Sequence, residues 1–166
     1  CPKAEIEDTL GAFYRSLEAD NDTARAIQKR YPSGPYRSVK RTVPFTSATK
    51  WSAVDFGEDG CFAIGAPEYL LGDDVRPLEE KLHYFASQGC RVLLLAQCDG
   101  AEEGKLLGVV IPLALLVLEN PVRPSAPKTF DYFRAQGVAV KVISGDNPVT
   151  VSAVAQQAGI EGAENW

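Results

Sequence analysis

The sequence contains no methionine, only one histidine (His83), and four cysteines (Cys1, Cys61, Cys90 and Cys98) with no CxxC pair among them. A zinc site needs several soft or imidazole ligands at short spacings, so this inventory excludes one. His83 falls in an amphipathic helical pattern and reads as a plain surface or boundary residue. Cys61, Cys90 and Cys98 lie in apolar runs and read as reduced core residues. Basic residues are also in deficit, 17 against 22 acidic ones, for a net charge of -5. A non-specific nucleic-acid binder normally needs a basic footprint, so that class is excluded. A small anionic ligand is not, because a few backbone N–H groups and one or two cations suffice to hold a phosphate. No long hydrophobic run is present. The most apolar stretch, Leu106 to Leu118, is shorter than the ~20 residues of a membrane helix and is broken by Pro112. It is expected to form two buried strands joined by a bend. There is no signal-peptide pattern. The missing methionine and the abrupt end at Asn165-Trp166 lead to the expectation of a piece cut from a longer chain.

What is present is enough to fold. The 166 residues are 45% hydrophobic and 23% charged, a composition that buries a core without disulfide or metal staples. Ile6, Leu10, Phe13, Tyr14 and Leu17 recur at helical spacing and predict a helix over 5–19, punctuated by Asp20 to Asp22. A second helix follows over 22–30, and Pro32-Ser33-Gly34-Pro35 closes this helical hairpin. The period then changes to that of strands, over 38–45, 50–56 and 60–65, the last two joined by a tight turn at Glu58-Asp59-Gly60. Helices are predicted over 66–71 and 73–88, a buried strand over 91–97 and a turn over 99–105. Beyond Glu119 the pattern becomes helix (124–136), strand (138–143) and helix (147–158, capped by Asn147), one repeat of a parallel α/β sheet. The expected architecture is therefore α+β. Residues 1–118 form an antiparallel sheet flanked by helical hairpins, and residues 119–166 form a fragment of a doubly wound domain.

Four places suit chemistry, and each admits a plainer structural role. Asp146 follows the predicted strand 138–143 and precedes a helix, the location where ligands bind in open α/β sheets; Gly145 permits the turn, and Asp146 or Asn147 serves equally as a helix cap. Phe45, with Thr46, Ser47 and Lys50 close by, suits stacking of a base and contact with its phosphates, or is a core residue at a strand end. Gly65-Ala66-Pro67-Glu68 allows close ligand approach, or is a tight connection. Arg91 opens a buried strand, either paired with a carboxylate or reaching an anion.

As an ordered set these segments resemble the cytoplasmic part of a P-type (E1-E2) cation-transporting ATPase. Val142 to Thr150, with Ser144-Gly145-Asp146 at its centre, is similar to the TGD segment of that family's phosphorylation domain, with Ser144 in place of threonine. Asn120-Pro121-Val122-Arg123 resembles the DPxR segment, with Asn120 in place of aspartate. Phe45 and Lys50 match the F-S-x-x-x-K pattern of the nucleotide-binding domain, Gly65 to Glu68 match KGAPE with Ile64 in place of lysine, and Arg91 matches the arginine ahead of a buried strand. The resemblance covers most of residues 22–160. The DKTGT segment with the phosphorylated aspartate and the GDGxNDxP segment are absent from the sequence.

The resemblance implies a nucleotide-binding domain over 1–118, then part of a HAD-like phosphorylation domain over 119–166. It implies ATP, with Mg²⁺ in the complete enzyme, as the ligand. Phe45 would hold adenine; Lys50, Gly65, Ala66 and Arg91 would contact the nucleotide; Arg123 and Asp146 would act on the catalytic side. The implied partners are the remaining phosphorylation, actuator and transmembrane domains of the same polypeptide, on the cytoplasmic side of a membrane. The implied parent is a bacterial-type pump, of the calcium-type or a less characterised branch, and this chain alone is expected to be inactive. Two other classes compete: a fragment of a HAD-like phosphatase, which needs a DxD segment the sequence lacks, and a non-catalytic nucleotide or protein binding module in which Phe45 and Arg91 are structural.

Overall fold

The fold is described from a computed structural model covering residues 3–18, 21–119 and 121–165. Asp20, Asn120 and Trp166, which figure in the expectations above, lie outside the described residues. Two compact units are present. The first comprises the chain up to Val75 together with Leu93–Leu116; the second comprises Arg76–Val92 and the chain from Val117 onward.

The first unit opens with α1 (Lys3–Ser16) and α2 (Asp22–Arg30). Leu10, Phe13 and Tyr14 are buried at helical spacing on α1. The Asn21 side chain accepts a 2.9 Å bond from the Ala24 amide and starts α2, satisfying a donor that the helix itself cannot. Gln28 Nε2 donates to the Tyr14 carbonyl at 3.1 Å and ties the two helices together. The segment after α2 does more than end a helix. A Cβ on Gly11 would lie 2.0 Å from the Ser33 carbonyl oxygen, and one on Gly34 would lie 2.5 Å from the Asp8 carbonyl oxygen. Backbone therefore crosses backbone here with no side chain between, which only glycine permits.

The sheet has the order β1-β2-β3-β4-β7. Its strands are β1 (Arg41–Val43), β2 (Trp51–Asp55), β3 (Cys61–Gly65), β4 (Arg91–Cys98) and β7 (Ile111–Leu118). The expected β2–β3 hairpin is present and antiparallel, with Ala53 opposite Ala63. β3 in turn pairs antiparallel with β4, Ala63 opposite Ala96. Every residue of β3 is buried. One face packs Val43, Trp51, Ala53, Ala63, Leu94 and Ala96 into a common core. On β3 the alternate positions are Phe62 and Ile64. The Arg37 guanidinium stacks over the rings of Phe62 and Phe56, 5.5 and 5.6 Å from their centroids, and donates to Thr9 Oγ1 at 3.2 Å, which links α1 to this part of the sheet.

The first strand is shorter than its sequence pattern. Pro44 has no N–H to donate, so the ladder stops at Val43. The expected helix over 73–88 is split: Gly72–Leu78 winds as a 3₁₀ segment containing Pro77, and α4 proper is Glu79–Ser87. α3 (Pro67–Leu71) precedes them. The expected turn over 99–105 is a small hairpin of β5 (Gly100–Glu102) and β6 (Lys105–Leu107), whose tip at Glu103 and Gly104 is exposed. The apolar run does divide into two strands, β6 and β7, bent at Gly108, but β7 is only half buried. Among the described residues no helix is long and apolar enough to cross a membrane.

In the second unit α5 (Ala126–Ala135) and α6 (Pro148–Gln157) form as expected. The strand expected over 138–143 does not. That stretch has no assigned pairing, and Val138, Val142 and Ile143 are exposed. A strand is completed by its neighbours' hydrogen bonds, and among the described residues of this unit none supplies a ladder there. Cys90 is half buried, whereas Cys61 and Cys98 are in the core, and all three are free thiols.

The crossing of α1 by the Ser33-Gly34 segment gives a direct test. Gly11→Ala is expected to lower unfolding free energy by about 1–3 kcal/mol in urea denaturation, the usual cost of overpacking, because neither backbone has a side chain that can move aside.

Candidate functional site

Four of the seven residues singled out in the sequence meet at one end of the β2–β3 hairpin. Pro44 releases the chain from the sheet, and Phe45 follows with 45% of its surface exposed. It is not a core residue. The next residues form a closed turn. Thr46 Oγ1 is 2.7 Å from Thr49 Oγ1 and accepts the Thr49 amide at 3.1 Å, while the Thr46 carbonyl accepts the Lys50 amide at 2.9 Å. Lys50 closes the turn with φ at 61°, a left-handed conformation that costs a residue with a Cβ about 1–2 kcal/mol. Its carbonyl accepts the Ala66 amide at 3.0 Å. A Cβ on Gly65 would lie 2.4 Å from that carbonyl oxygen and 2.4 Å from Trp51 Cβ. Gly65 is thus required by backbone proximity, and Gly65 and Ala66 hold the Lys50 end of the Phe45 loop. The assembly offers an exposed ring, threonine hydroxyls and a lysine, a set suited to a base and its phosphates.

Ile64 is the departure from this chemistry. It pairs with Ser52 and Leu95 and is only 2% exposed. It contributes packing and no charge.

The other three residues belong to the second unit. Arg91, the first residue of β4, forms an ion pair with Asp146. Both side chains are roughly half exposed, so the pair contributes about 0–1 kcal/mol and chiefly fixes position. Helix capping falls to Asn147 alone: its side chain accepts the amides of Val149 at 3.0 Å and Thr150 at 3.4 Å. Asp146 is held by its own amide, which donates to Ser144 Oγ at 3.1 Å, and its carboxylate is left to face Arg91. Thr150 Oγ1 donates to the Cys90 carbonyl at 3.1 Å and Gln157 Nε2 to the Gln88 carbonyl at 3.1 Å, which docks the approach to Arg91 onto α6. Arg123 is exposed in the turn ahead of α5, its carbonyl accepting the Ala126 amide at 2.9 Å. A cavity of about 450 Å³ runs along α6, lined by Val142, Ser144, Asp146, Val151, Ala155 and Ile160 among others. Among the described residues no group of three or more His, Cys, Asp or Glu side chains could hold a metal ion.

Sequence reasoning located these residues but not the threonine turn or the Arg91–Asp146 pair. The first signal was present as three hydroxyls in Thr46-Ser47-Ala48-Thr49; the second has no sequence signal, since the partners are far apart in the chain.

Comparison with known proteins supplies the family. The chain is 44% identical over 161 residues to the calcium-transporting ATPase CtpE of Mycolicibacterium smegmatis, an alignment covering 96% of this chain and 20% of that protein. It is 39% identical over 158 residues to the probable cation-transporting ATPase exp7 of Streptococcus pneumoniae, covering 93% of this chain and 20% of the relative. This chain belongs to the P-type cation-transporting ATPases. It spans about one fifth of the length of these relatives. The potassium-transporting ATPase ATP-binding subunit of Leptospira interrogans is a more distant relative, 28% identical over 131 residues, covering 72% of this chain and 17% of that subunit. No protein-family model matches the chain.

Because Gly65 lies against the Lys50 carbonyl, Gly65→Ala is expected to push β3 from the Phe45 loop. Hydrogen exchange should report it as faster exchange of the Ala66 amide, with amides in α1 unchanged.

Proposed function

We propose that this chain is the ATP-binding region of a cytoplasmic part of a P-type cation pump. The observation that carries the reading is Phe45: an aromatic ring kept out of the core, on a loop closed by the Thr46 turn and fastened through Lys50 to Ala66. A half-exposed ring on a loop that also carries Thr46, Thr49 and Lys50 suits a ligand with a planar base and phosphates. The name of the Leptospira relative, an ATP-binding subunit, supports the same ligand.

In this reading Phe45 stacks on adenine, and Gly65 and Ala66 let the nucleotide approach the backbone. Lys50 and Arg91 neutralise its phosphates, while Arg123 and Asp146 act where the γ-phosphate is delivered. An aspartate elsewhere in the pump polypeptide attacks the γ-phosphorus, the bond to the β-phosphate oxygen breaks, and an acyl phosphate and ADP result. Such transfer depends on positioning and charge neutralisation. Mg²⁺, held by the nucleotide's own phosphates, would add charge neutralisation there. Residues 1–118 are proposed as the nucleotide-binding domain and 119–166 as part of a HAD-like phosphorylation domain, the chain alone being unable to turn over ATP. Transport of calcium is proposed from the names of the mycobacterial relatives. The buried, uncharged Ile64 favours a second reading, a module that binds nucleotide weakly or binds another ligand without catalysis.

Calorimetric titration with MgATP separates the two. Saturable binding is expected, weakened about 5- to 150-fold by Phe45→Ala, the equivalent of about 1–3 kcal/mol of stacking. An affinity unchanged in a folded Phe45→Ala protein would overturn the adenine assignment.

A further inference from the structure

Two core thiols are left unused by the reading above. Cys61 is the first residue of β3 and Cys98 the last of β4, and the two are directly opposite one another in the antiparallel ladder. Cys98 Sγ lies 3.4 Å from Cys61 Sγ and donates to the Cys61 carbonyl oxygen at 3.7 Å. They are 3% and 5% exposed. Directly opposed antiparallel residues have Cα atoms about 4.5–5.5 Å apart, inside the range of about 4.4–6.8 Å that a disulfide spans. The sulfurs therefore need to close by only ~1.4 Å to reach bonding distance, about 2.05 Å. We propose that Cys61 and Cys98 form an oxidative modification site, converted to a cross-strand disulfide by a hydroperoxide.

The chemistry divides between the two sulfurs. In the resting pair the Cys98 S–H is the donor; when Cys98 ionises, the Cys61 S–H donates to its thiolate instead, which lowers the pKa of Cys98, while that bond and burial raise that of Cys61. Cys98 is thus the attacking thiolate and Cys61 the resolving thiol. The Cys98 thiolate attacks a peroxide oxygen; the S–O bond forms, the O–O bond breaks, and hydroxide leaves and takes a proton as water. Cys61 then gives up its proton and attacks the Cys98 sulfur; the S–S bond forms and the sulfenic oxygen leaves as a second water. Two thiols lose two electrons, and one hydrogen peroxide becomes two waters. Access comes from position. The pair sits at the last rung of the β3–β4 ladder, between Gly60 and the β5–β6 hairpin, whose Ala101 packs against the same core. Opening one terminal rung exposes both sulfurs without unfolding the sheet. The bond would tie β3 to β4 at the end opposite Gly65.

The test is exposure of the full chain to hydrogen peroxide, followed by intact-mass and peptide analysis without reduction. The expected product has lost two hydrogen atoms, links the Cys61 and Cys98 peptides within one chain, and returns to two thiols with dithiothreitol. Cys90→Ser should leave this product unchanged. In Cys61→Ser, where the resolving thiol is missing, Cys98 should advance to sulfinic acid. The proposal is overturned if Cys61 and Cys98 both remain thiols after the half-buried Cys90 has been oxidised, or if the only disulfides join two chains. The wild-type measurement alone decides this should a variant fail to fold, and it requires no nucleotide, so its outcome is independent of ATP binding.

Discussion

The complete burial of β3 is the constraint from which most of this structure follows. A five-residue strand covered on both faces has no place for a charge, because an ionised group removed from water needs a partner to offset its desolvation. Ile64 packs there uncharged, at the position where the resemblance places lysine, and small residues fill the neighbouring rungs, Ala63 between Ala53 and Ala96. The same enclosure makes β3 an anchor. Its end is fixed closely enough that Gly65 touches the Lys50 carbonyl, and a run of small hydroxyl residues becomes a defined loop presenting an aromatic ring. The chemistry of the first unit is therefore displaced from the strand to its ends: the Phe45 loop at one, the two thiols at the other.

The second unit is organised differently. α5 has no fully buried residue, and α6 carries the organisation: its cap at Asn147, its bond from Thr150 to the Cys90 carbonyl and its bond from Gln157 to the Gln88 carbonyl. These contacts bring the start of β4 to the Ser144-Gly145-Asp146 turn. The ion pair that results is too exposed to add much stability. Its significance is that a cation and an anion proposed for the same nucleotide occupy each other, so that a phosphate reaching Arg91 would compete with Asp146.

How legible all this was depends on the range of the interactions. α2, the β2–β3 hairpin and α6 follow from local signals that nothing distant opposes: Asn21 and Asn147 as caps, the turn at 57–60, alternating β-formers. Proline edited two other elements in ways its chemistry explains, cutting β1 at Pro44 and winding the segment around Pro77 into 3₁₀. The strand over 138–143 failed because Val-Ala-Val-Lys-Val-Ile encodes a propensity, while a strand is made by a neighbour. The site divides in the same way. Phe45, Lys50 and Gly65 were readable as a pattern along the chain; the partnership of Arg91 with Asp146, and that of Cys61 with Cys98, exist only once the fold has brought distant residues together.

The bare crossing of Gly11 and Ser33 also bears on how this chain can change in length. A connection threaded against a helix backbone with no intervening side chain admits neither insertion nor deletion without moving the helix, so the segment from Pro32 to Pro35 is a fixed-length element. The tip of the β5–β6 hairpin is the reverse case: a methyl group placed on Gly104 would meet nothing within 4 Å, and its neighbours Glu102, Glu103 and Lys105 face solvent. Length variation among related chains should accumulate at Glu103-Gly104, and a reporter group inserted there would ride on the domain without disturbing its packing.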